Sequence, residues 1–290
     1  MTKNNPAVSV AVLGTGLIGT GVALNLSRKG FHVRTWNRTA EKAQALTANG
    51  AQAFDNPADA IWDADVIITV LKDGPAVNET MVAALPGLCK GAIWLQLSTV
   101  GVEAIDTLAA FADENSLIFY DAPVQGTRQP AEQGNLVILA SGPEEGRRVA
   151  QSVFDAIGQR TLWVSDRPGA SSSLKLALNA YVFALTHGTA ETLAIAKALG
   201  VDPALVVEAI TGGPLDSGYF QGKASAMLKG DFTASFSVTN GVKDARLVLD
   251  ALTGTGVQAD LAAASLARFQ RVEEAGYSDK DIAASFLADA

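Results

Sequence analysis

Short apolar runs alternate with longer amphipathic runs over the first half of the chain. Runs rich in Val, Ile and aromatic residues predict strands at 7–14, 31–36, 65–71, 92–98, 116–124, 135–142 and 160–165. Helical patterns separate most of these strands, which predicts a mostly parallel sheet with right-handed crossovers. The first helix is expected at 17–29 with Gly30 as its C-cap, and the next is expected to follow a Thr39 N-cap to about Asn49.

The pattern changes after Pro168, because no later run has the composition and length of a strand. Helices are expected near 170–199, 202–211, 219–229, 237–253 and 257–275. The predicted fold class is therefore α/β, with an N-terminal domain at 1–165 and an all-helical C-terminal domain at 166–290. The long helix near 170–199 is apolar on most faces, so it is expected to run between the domains or into a partner subunit.

A glycine-rich turn connects the first predicted strand to the first helix. Its sequence is Gly14-x-Gly16-x-x-Gly19, and this strand–turn–helix context is typical of a Rossmann dinucleotide-binding domain. Gly14 permits the tight turn, Gly16 lets a pyrophosphate approach, and Gly19 lets the helix pack closely. The helix N-terminus offers N–H groups to the phosphates. We count Leu17 and Ile18 with these glycines as cofactor-binding residues; a turn without a ligand is the alternative.

The end of the second strand predicts which dinucleotide binds. An NAD-binding domain usually carries an acidic residue here, and this chain has Asn37, Arg38 and Thr39 instead. A carboxylate would repel a 2′-phosphate, whereas Asn37 does not, and Arg38 can pair with it. The sequence therefore predicts NADP(H) rather than NAD(H). A solvated surface arginine is the alternative interpretation of Arg38.

Composition and charge narrow the possible partners, the location, and the possible disulfides and metal sites of the protein. The net charge of the 290 residues is −8 without a long basic cluster, which argues against a nucleic-acid partner. No apolar run is long and clean enough to span a membrane, and the N-terminus lacks the features of a signal peptide, so a cytoplasmic location is expected. Cys89 is the only cysteine, so no internal disulfide is possible. His32 and His187 belong to no metal-ligand cluster, and no metal is expected.

Four motifs occur in an order that resembles the β-hydroxyacid dehydrogenase family, which includes 3-hydroxyisobutyrate dehydrogenases and glyoxylate/succinic semialdehyde reductases. They are the glycine loop followed by Asn25-Leu26 and Gly30, the segment DAPVQGTRQPAEQG at 121–134, Gly169 with Lys175 and Asn179, and Asp231-Phe232 with Phe236 and Lys243-Asp244. The resemblance extends from Val8 to about Leu252. It implies a Rossmann domain, an interdomain helix and an all-α C-terminal domain.

The resemblance also implies roles for single residues. Lys175 would be the general acid that protonates the carbonyl oxygen, and burial disfavours the charged form of an amine. Asn179, one helical turn later, would bind the substrate or hold the ammonium group. Further cofactor-binding residues would be Val70, Leu71, Lys72, Thr99 and Lys243. The substrate-binding residues would be Ser98, Pro123, Val124, Gln125, Gly126 and Thr127. Ser98 and Thr99 also suit a helix cap, and Lys243-Asp244 also suits an exposed pair.

The segment at 121–134 departs from the family pattern, which leaves the substrate open. Gln125 replaces a serine and Thr127 a glycine in a turn that would bind a substrate carboxylate; Arg128, next to them, either binds an anion or is solvated. Ser171 replaces a glycine and Gln96 an aspartate. Either the carboxylate is held differently, or the substrate is bulkier or less charged. The resemblance implies an NADPH-dependent reductase of small aldehydes or keto acids, which in reverse would be a β-hydroxyacid dehydrogenase.

Two alternatives remain. Imine reductases share this architecture and usually lack the lysine at the position of Lys175. A non-catalytic NADP-binding module would have no need for the Lys175–Asn179 pair. Apolar surface on the C-terminal helices predicts a homodimer or homotetramer.

Overall fold

The computed structural model describes residues 8–289, which form two compact units that divide in sequence between Lys175 and Leu176. Ala7, the first residue of the predicted strand at 7–14, lies outside the described residues. The domain boundary expected between 165 and 166 stays a prediction.

The first unit is built on a nine-stranded sheet. Its strands are β1 (Ser9–Leu13), β2 (His32–Trp36), β3 (Gln52–Ala53), β4 (Val66–Thr69), β5 (Ile93–Gln96), β6 (Ile118–Asp121), β7 (Val124–Gln125), β8 (Leu136–Ser141) and β9 (Gly158–Ser165). The order is β3-β2-β1-β4-β5-β6-β8-β7, with β9 also paired to β8. Pairs from β3 to β6 are parallel, whereas β8 runs antiparallel to β6 and β7. The mostly parallel sheet is thereby confirmed.

The predicted strands differ from the structure in two places. The run at 116–124 is two strands, β6 and β7, because Pro123 between them has no N–H with which to continue a ladder. The two-residue strand β3 was not predicted, because Gln52-Ala53 has neither the length nor the apolar pattern of a strand.

Helices connect the strands of the first unit. They are α1 (Leu17–Arg28), α2 (Ala40–Gln44), α3 (Pro57–Ile61), α4 (Gly74–Ala84), α5 (Val102–Glu114), α6 (Arg128–Gln133) and α7 (Arg147–Ile157). The helix expected to reach Asn49 ends at Gln44, whose carbonyl accepts a hydrogen bond from the Thr47 hydroxyl at 2.8 Å instead of continuing the helix. Thr39 is the N-cap residue of α2, as predicted, but its side chain makes no capping hydrogen bond.

Alternating residues of the central strands fill two apolar layers. In β1, Val10 and Val12 belong to one buried cluster, and Ala11 and Leu13 belong to the other. This alternation follows from the two-residue period of a strand. Both faces of the sheet are therefore buried, and the functional groups described below lie at the ends of its strands.

The second unit is helical. Helix α8 (Ala170–Ala198) begins in the first unit and continues into the second, where α9 (Ala204–Ile210), α10 (Gly218–Lys229), α11 (Val238–Ala251) and α12 (Asp260–Val272) follow. A π-helical turn (Glu273–Tyr277) and a 3-10 helix (Ile282–Asp289) complete it. Within residues 8–289, no strand follows β9. The helix expected at 257–275 begins later, at Asp260, and a π-helical turn continues it to Tyr277; the run ahead of it contains Gly254 and Gly256 at positive φ.

Buried aromatic rings form the core of the second unit. Phe183 packs edge-to-face on Phe269 at 5.2 Å and stacks on Phe236 at 6.3 Å between ring centroids. Asp281 accepts hydrogen bonds from the Ser235 and Phe236 N–H groups, which fixes the loop ahead of α11. No helix of the described chain is both long and apolar enough to cross a bilayer.

Candidate active site

The glycine turn after β1 has the backbone geometry that a dinucleotide requires. Gly14 has φ of +105°, and a Cβ there would lie 2.2 Å from the carbonyl oxygen of Val70. A Cβ on Gly19 would lie 1.9 Å from the Gly14 carbonyl oxygen. These contacts explain why the turn uses glycine at both positions.

The space above Gly16 fits a phosphate group. Gly16 is exposed, and a Cβ on it would meet no described atom within 4 Å. The first turn of α1 has no side-chain cap, so its N–H groups remain available to an anion. The buried hydroxyl of Thr15 also has no hydrogen-bond partner among the described residues. The turn, with Leu17 and Ile18 opening the helix, is therefore suited to hold a pyrophosphate.

The end of β2 is fastened to this turn. The Asn37 side-chain oxygen accepts a hydrogen bond from the Thr15 N–H at 3.0 Å, and its amide group donates to the Thr39 carbonyl oxygen at 3.0 Å. Arg38 and Thr39 are exposed, and Arg38 forms no ion pair within residues 8–289. Asn37 thus holds the loop, and Arg38 is left as the group that could bind a 2′-phosphate.

The loops after β4 and β5 are joined through Ser98. Its hydroxyl accepts from the Leu71 N–H at 2.8 Å and donates to the Thr69 carbonyl oxygen at 3.3 Å. The buried amide of Gln96 accepts from the Ser98 N–H at 2.7 Å and donates to the Ser98 carbonyl oxygen at 2.9 Å. Sequence reasoning missed this role of Gln96, although a polar residue inside an apolar strand was a usable signal.

The remaining predicted residues of these two loops differ in exposure. Val70 and Thr99 are half-buried, whereas Lys72 is exposed. The Val70 N–H donates to the Leu13 carbonyl oxygen at 2.9 Å, which places this loop beside the glycine turn. The two loops and the glycine turn thus lie together at the carboxyl ends of the parallel strands, where ligands of open α/β sheets usually bind.

Asn25 connects α1, the helix after the glycine turn, to residues 121–134, which we call the predicted substrate segment. Its buried side-chain amide, on α1, donates to the Gly21 carbonyl oxygen at 2.8 Å and to the Ala131 carbonyl oxygen, on α6, at 2.7 Å. Helix α6 directly follows Gln125, Gly126 and Thr127. The hydrogen bonds of Asn25 therefore hold together the helices of two candidate binding loops.

Asp121 fastens the substrate segment to α8. Its fully buried carboxylate accepts hydrogen bonds from the Ser172 hydroxyl at 2.7 Å, the Ser172 N–H at 2.9 Å and the Gly169 N–H at 3.1 Å. Burial raises the pKa of Asp121 to about 6, and these hydrogen bonds oppose that rise. Sequence reasoning did not assign Asp121 this positioning role.

The serine that replaces a glycine at position 171 has a specific partner. The Ser171 and Ser141 hydroxyls are 2.7 Å apart and both are fully buried. This hydrogen bond joins the end of β8 to the first turn of α8. The hydroxyl that the substitution adds is therefore satisfied inside the protein.

Lys175 lies against the substrate segment. It is 8% exposed, and its Nζ is 3.5 Å from the Oε1 atom of Gln125, at the outer limit of a hydrogen bond. Val124 is buried on β7, after Pro123. An amine in this position can exchange a proton with an oxygen atom held next to Gln125.

The turn after Gln125 needs glycine at one of its two positions. Gly126 has φ of +130°, whereas Thr127 has φ of −115°, an ordinary extended conformation. Thr127 therefore replaces a glycine without backbone strain. Arg128 forms an exposed ion pair with Glu132, Nε to Oε1, at 2.7 Å, so its charge already has an acidic partner.

A second polar cluster lies in the helical unit. The buried carboxylate of Asp244 accepts a hydrogen bond from the Asn179 amide at 2.9 Å and pairs with the Lys243 Nζ at 2.6 Å. Asp244 is 3% exposed, so Lys243-Asp244 is not an exposed pair. The carboxylate fixes the side chains of both Asn179 and Lys243, and sequence reasoning missed this link.

The histidines take no part in these clusters. His32 is exposed, and His187 is buried with its ring packed on Phe269 at 4.4 Å. Burial, together with Arg268 and Arg271, lowers the pKa of His187 to about 3, so the ring is neutral at pH 7. In the described part of the chain, no group of three or more His, Cys, Asp or Glu side chains could hold a metal ion.

Comparison with known proteins supplies the family. The model of the NAD binding domain of 6-phosphogluconate dehydrogenase matches residues 9–165. The model described as NAD-binding of NADP-dependent 3-hydroxyisobutyrate dehydrogenase matches residues 169–287. Glyoxylate/succinic semialdehyde reductase 1 of Arabidopsis thaliana is 28% identical over 280 residues, which cover 96% of each chain.

Solved structures agree with this match. A 3-hydroxyisobutyrate dehydrogenase from Salmonella typhimurium is similar with a TM-score of 0.88 and 25% identity, covering 97% of this chain and 99% of its own. An imine reductase from Pseudomonas sp. shares the fold with a TM-score of 0.63 and 24% identity, covering 98% and 100% of the two chains. The resemblance noted in the sequence is confirmed, and the chain belongs to the β-hydroxyacid dehydrogenase family of NAD(P)-binding oxidoreductases.

Proposed function

We propose that this protein is an NADPH-dependent reductase that transfers hydride to a small carbonyl compound, or in reverse oxidises the corresponding hydroxy acid or alcohol. The observation that carries the proposal is the position of Lys175, buried and 3.5 Å from Gln125 in the segment that resembles a substrate signature. Glyoxylate/succinic semialdehyde reductase 1, a relative over nearly the whole chain, is named for reduction of small aldehydes.

The preference for NADP(H) is supported by the end of β2. No acidic side chain occupies positions 37–39, and the exposed Arg38 has no acidic partner among the described residues. Its guanidinium group suits a 2′-phosphate. Gly14, Gly16 and Gly19 would bind the pyrophosphate, and Lys243 stays a predicted cofactor-binding residue.

The chain's own residues would supply the proton and the orientation of the substrate. NADPH, when bound, supplies the hydride. The Lys175 amine would donate a proton to the carbonyl oxygen, so that a neutral hydroxyl is released rather than an alkoxide. Gln125 would keep the amine at the substrate segment, and Asp121 would fix the first turn of α8 through Ser172. In the oxidative direction the same amine would accept the proton.

Imine reduction is the second candidate function. It is favoured by Gln125, which stands where the family pattern has a serine. An iminium ion accepts hydride without further protonation, so this reaction would depend less on Lys175.

NADPH consumption over a panel of substrates tests the proposal. The panel contains glyoxylate, succinic semialdehyde, butanal, a 3-oxo acid and a cyclic imine, each measured with wild type and Lys175→Ala. Carbonyl reduction that is lost in Lys175→Ala supports the leading function. Imine reduction that survives the substitution supports the second. No NADPH oxidation with any compound would contradict both and favour a non-catalytic NADP-binding module.

We also propose that the protein acts as a homodimer. Apolar side chains on and after α8 are exposed, among them Tyr181 at 64% and Leu199 at 77%. Exposed apolar surface of this kind is typical of subunit contacts. Light scattering of the purified protein measures the assembly, and a monomer at micromolar concentration would contradict the proposal.

A further inference from the structure

The hydrogen-bond ladder between β4 and β5 stops where two loops begin. The paired residues end at Thr69 and Gln96, and one further bond runs from the Leu97 N–H to the Thr69 carbonyl oxygen at 2.9 Å. Ser98 lies beyond this last strand contact and is 4% exposed. Its N–H and C=O groups therefore need partners other than a neighbouring strand.

Two side chains continue the pairing into the loops, which we call the β4 loop (residues 70–73) and the β5 loop (residues 97–101). The fully buried Gln96 amide folds back on the β5 loop. Its oxygen accepts from the Ser98 N–H at 2.7 Å, and its NH₂ group donates to the Ser98 carbonyl oxygen at 2.9 Å. The Ser98 hydroxyl accepts from the Leu71 N–H of the β4 loop at 2.8 Å. Gln96 thus fixes Ser98, and Ser98 fixes the β4 loop.

The helices that follow the two loops pack closely. A Cβ on Gly74, where α4 begins, would lie 2.7 Å from the Ala104 Cβ in the first turn of α5. Two carbon atoms cannot approach to that distance, so the helices meet as closely as a glycine allows. The β4 and β5 loops are therefore held at both ends and form one surface.

The position of these loops in the sheet indicates which part of a dinucleotide they would receive. In the strand order, β2 and β3 lie on one side of β1, and β4 and β5 lie on the other. A doubly wound sheet binds one nucleotide on each half, across the point where the strand order reverses. The glycine turn and residues 37–39 follow β1 and β2, which is the half that would hold the adenosine end. The β4 and β5 loops would therefore receive the nicotinamide end.

We propose that Gln96 and Ser98 are positioning residues for the nicotinamide half of the cofactor, and that Ser98 serves the two loops rather than the substrate. The amide at position 96 suits this role because it both accepts and donates. An ionised aspartate, the residue of the family pattern, could accept from the Ser98 N–H but could not donate to its carbonyl oxygen. The proposal needs only dinucleotide binding, which belongs to the family, and is independent of the proposed carbonyl substrate.

Binding of a dinucleotide and of its adenosine half separates positioning from a general effect on the fold. Calorimetry without substrate uses NADPH with adenosine 2′,5′-bisphosphate, or NADH with ADP if NADH binds wild type more tightly. Gln96→Leu and Ser98→Ala should each weaken dinucleotide binding by about tenfold, because buried N–H or C=O groups of the loops lose their partners. Both variants should bind the adenosine half within about threefold of wild type. Gln159→Leu, at an exposed glutamine of β9, is the matched control and should bind both ligands as wild type does.

Gln96→Glu provides a rescue that depends on pH. A protonated carboxyl group can accept and donate as the amide does, whereas an ionised one can only accept. Burial raises the pKa of such a carboxyl group well above its ordinary range. Relative to wild type at the same pH, Gln96→Glu should bind the dinucleotide within about threefold at about pH 5.5 and about tenfold more weakly at about pH 8.5. The ratio for Gln96→Leu should not change with pH.

The positioning role and the proposed function fail in different ways. Dinucleotide binding at wild-type strength in Gln96→Leu and Ser98→Ala would overturn the positioning role. An equal loss for the adenosine half, or a Gln96→Glu ratio that is constant with pH, would overturn it as well. None of these results bears on the reductase function, which the substrate panel tests. The expected binding results in a protein that reduces no carbonyl compound would support the positioning role and contradict the reductase.

Discussion

The carboxylate of Asp121 accepts hydrogen bonds from both the hydroxyl and the N–H of Ser172, at 2.7 and 2.9 Å. The pair joins the end of β6 to the first turn of α8, the helix that carries Lys175. Burial raises the pKa of Asp121 from 3.8 to about 6. The folded state therefore holds this proton more tightly than the unfolded chain. The contribution of Asp121 to the free energy of unfolding is therefore greatest below about pH 4. It falls between about pH 4 and 6 and is constant above that range.

Asp121→Asn should remove this pH dependence. The amide can accept from the two N–H groups and donate to the Ser172 hydroxyl, so the contacts survive without a buried charge. Between pH 3 and 7, the free energy of unfolding of wild type should fall relative to the variant by about 3 kcal/mol. Urea unfolding at several pH values measures the difference. Parallel profiles for the two proteins would contradict the assigned pKa.

Two glycine substitutions should separate folding from cofactor binding. Gly16→Ala places a methyl group where no described atom lies within 4 Å, so the free energy of unfolding should change by less than about 1 kcal/mol. The methyl group would occupy the phosphate space, and NADPH should bind about tenfold more weakly or worse. Gly19→Ala should lower both the free energy of unfolding and the affinity for NADPH, because its Cβ would lie 1.9 Å from the Gly14 oxygen. Fluorescence titration with NADPH and urea unfolding provide the two readouts. Unchanged NADPH affinity in Gly16→Ala would exclude this turn as the phosphate site.

Arg38→Ala should reduce the preference for NADPH. A charge-assisted contact to the 2′-phosphate is worth about 1.5–3 kcal/mol, so the NADPH-to-NADH ratio of kcat/KM should fall by about tenfold or more. Arg148→Ala, another exposed arginine, is the control and should retain the ratio. A wild-type protein that prefers NADH would refute the assignment of Arg38.

Lys175→Ala should lower kcat for carbonyl reduction by about a hundredfold to ten-thousandfold, the usual contribution of a general acid. NADPH affinity should change by less than about threefold, since the amine is expected to act on the substrate. Rapid-mixing kinetics and fluorescence titration measure these quantities. Lys90→Ala removes an exposed lysine as the control. Near-normal turnover in Lys175→Ala would exclude the residue from the mechanism.

The effects of substituting Lys243 and Asp244 on the free energy of unfolding should be strongly coupled. Lys243→Met leaves the buried Asp244 carboxylate without its cation, which should lower the free energy of unfolding by about 3 kcal/mol. The double variant Lys243→Met/Asp244→Asn should recover most of this loss, because no buried charge remains. Urea unfolding of the complete double-mutant cycle measures the coupling. Additive effects of the two substitutions would show that the ion pair contributes little.

The main elements of the fold were predictable because their patterns are local. The unbroken apolar run of β1, followed by Gly14 and an amphipathic helix, indicates both the strand and the turn. Elements formed by distant contacts were not predictable. Gln52-Ala53 is a strand because Arg34 and Thr35 on β2 pair with it, and not because of its own pattern.

The same distinction applies to the candidate site. The spacing of Lys175 and Asn179 on one helix is visible in the sequence. The partner of Asn179, however, is Asp244, which is 65 residues away. The Ser141 hydroxyl that satisfies Ser171 is 30 residues away. Pairings of this kind depend on how elements pack, and a single sequence contains no local pattern that specifies them.

Asn25 has a consequence for attempts to redesign this protein. Its amide holds α1, which begins at the glycine turn, to α6, which begins immediately after the turn that contains Gln125. A bulkier residue that displaces α6 would also shift α1 and the turn before it. Directed evolution that selects only for a new substrate should therefore accumulate compensating changes in cofactor affinity, and the two specificities of this scaffold must be optimised together.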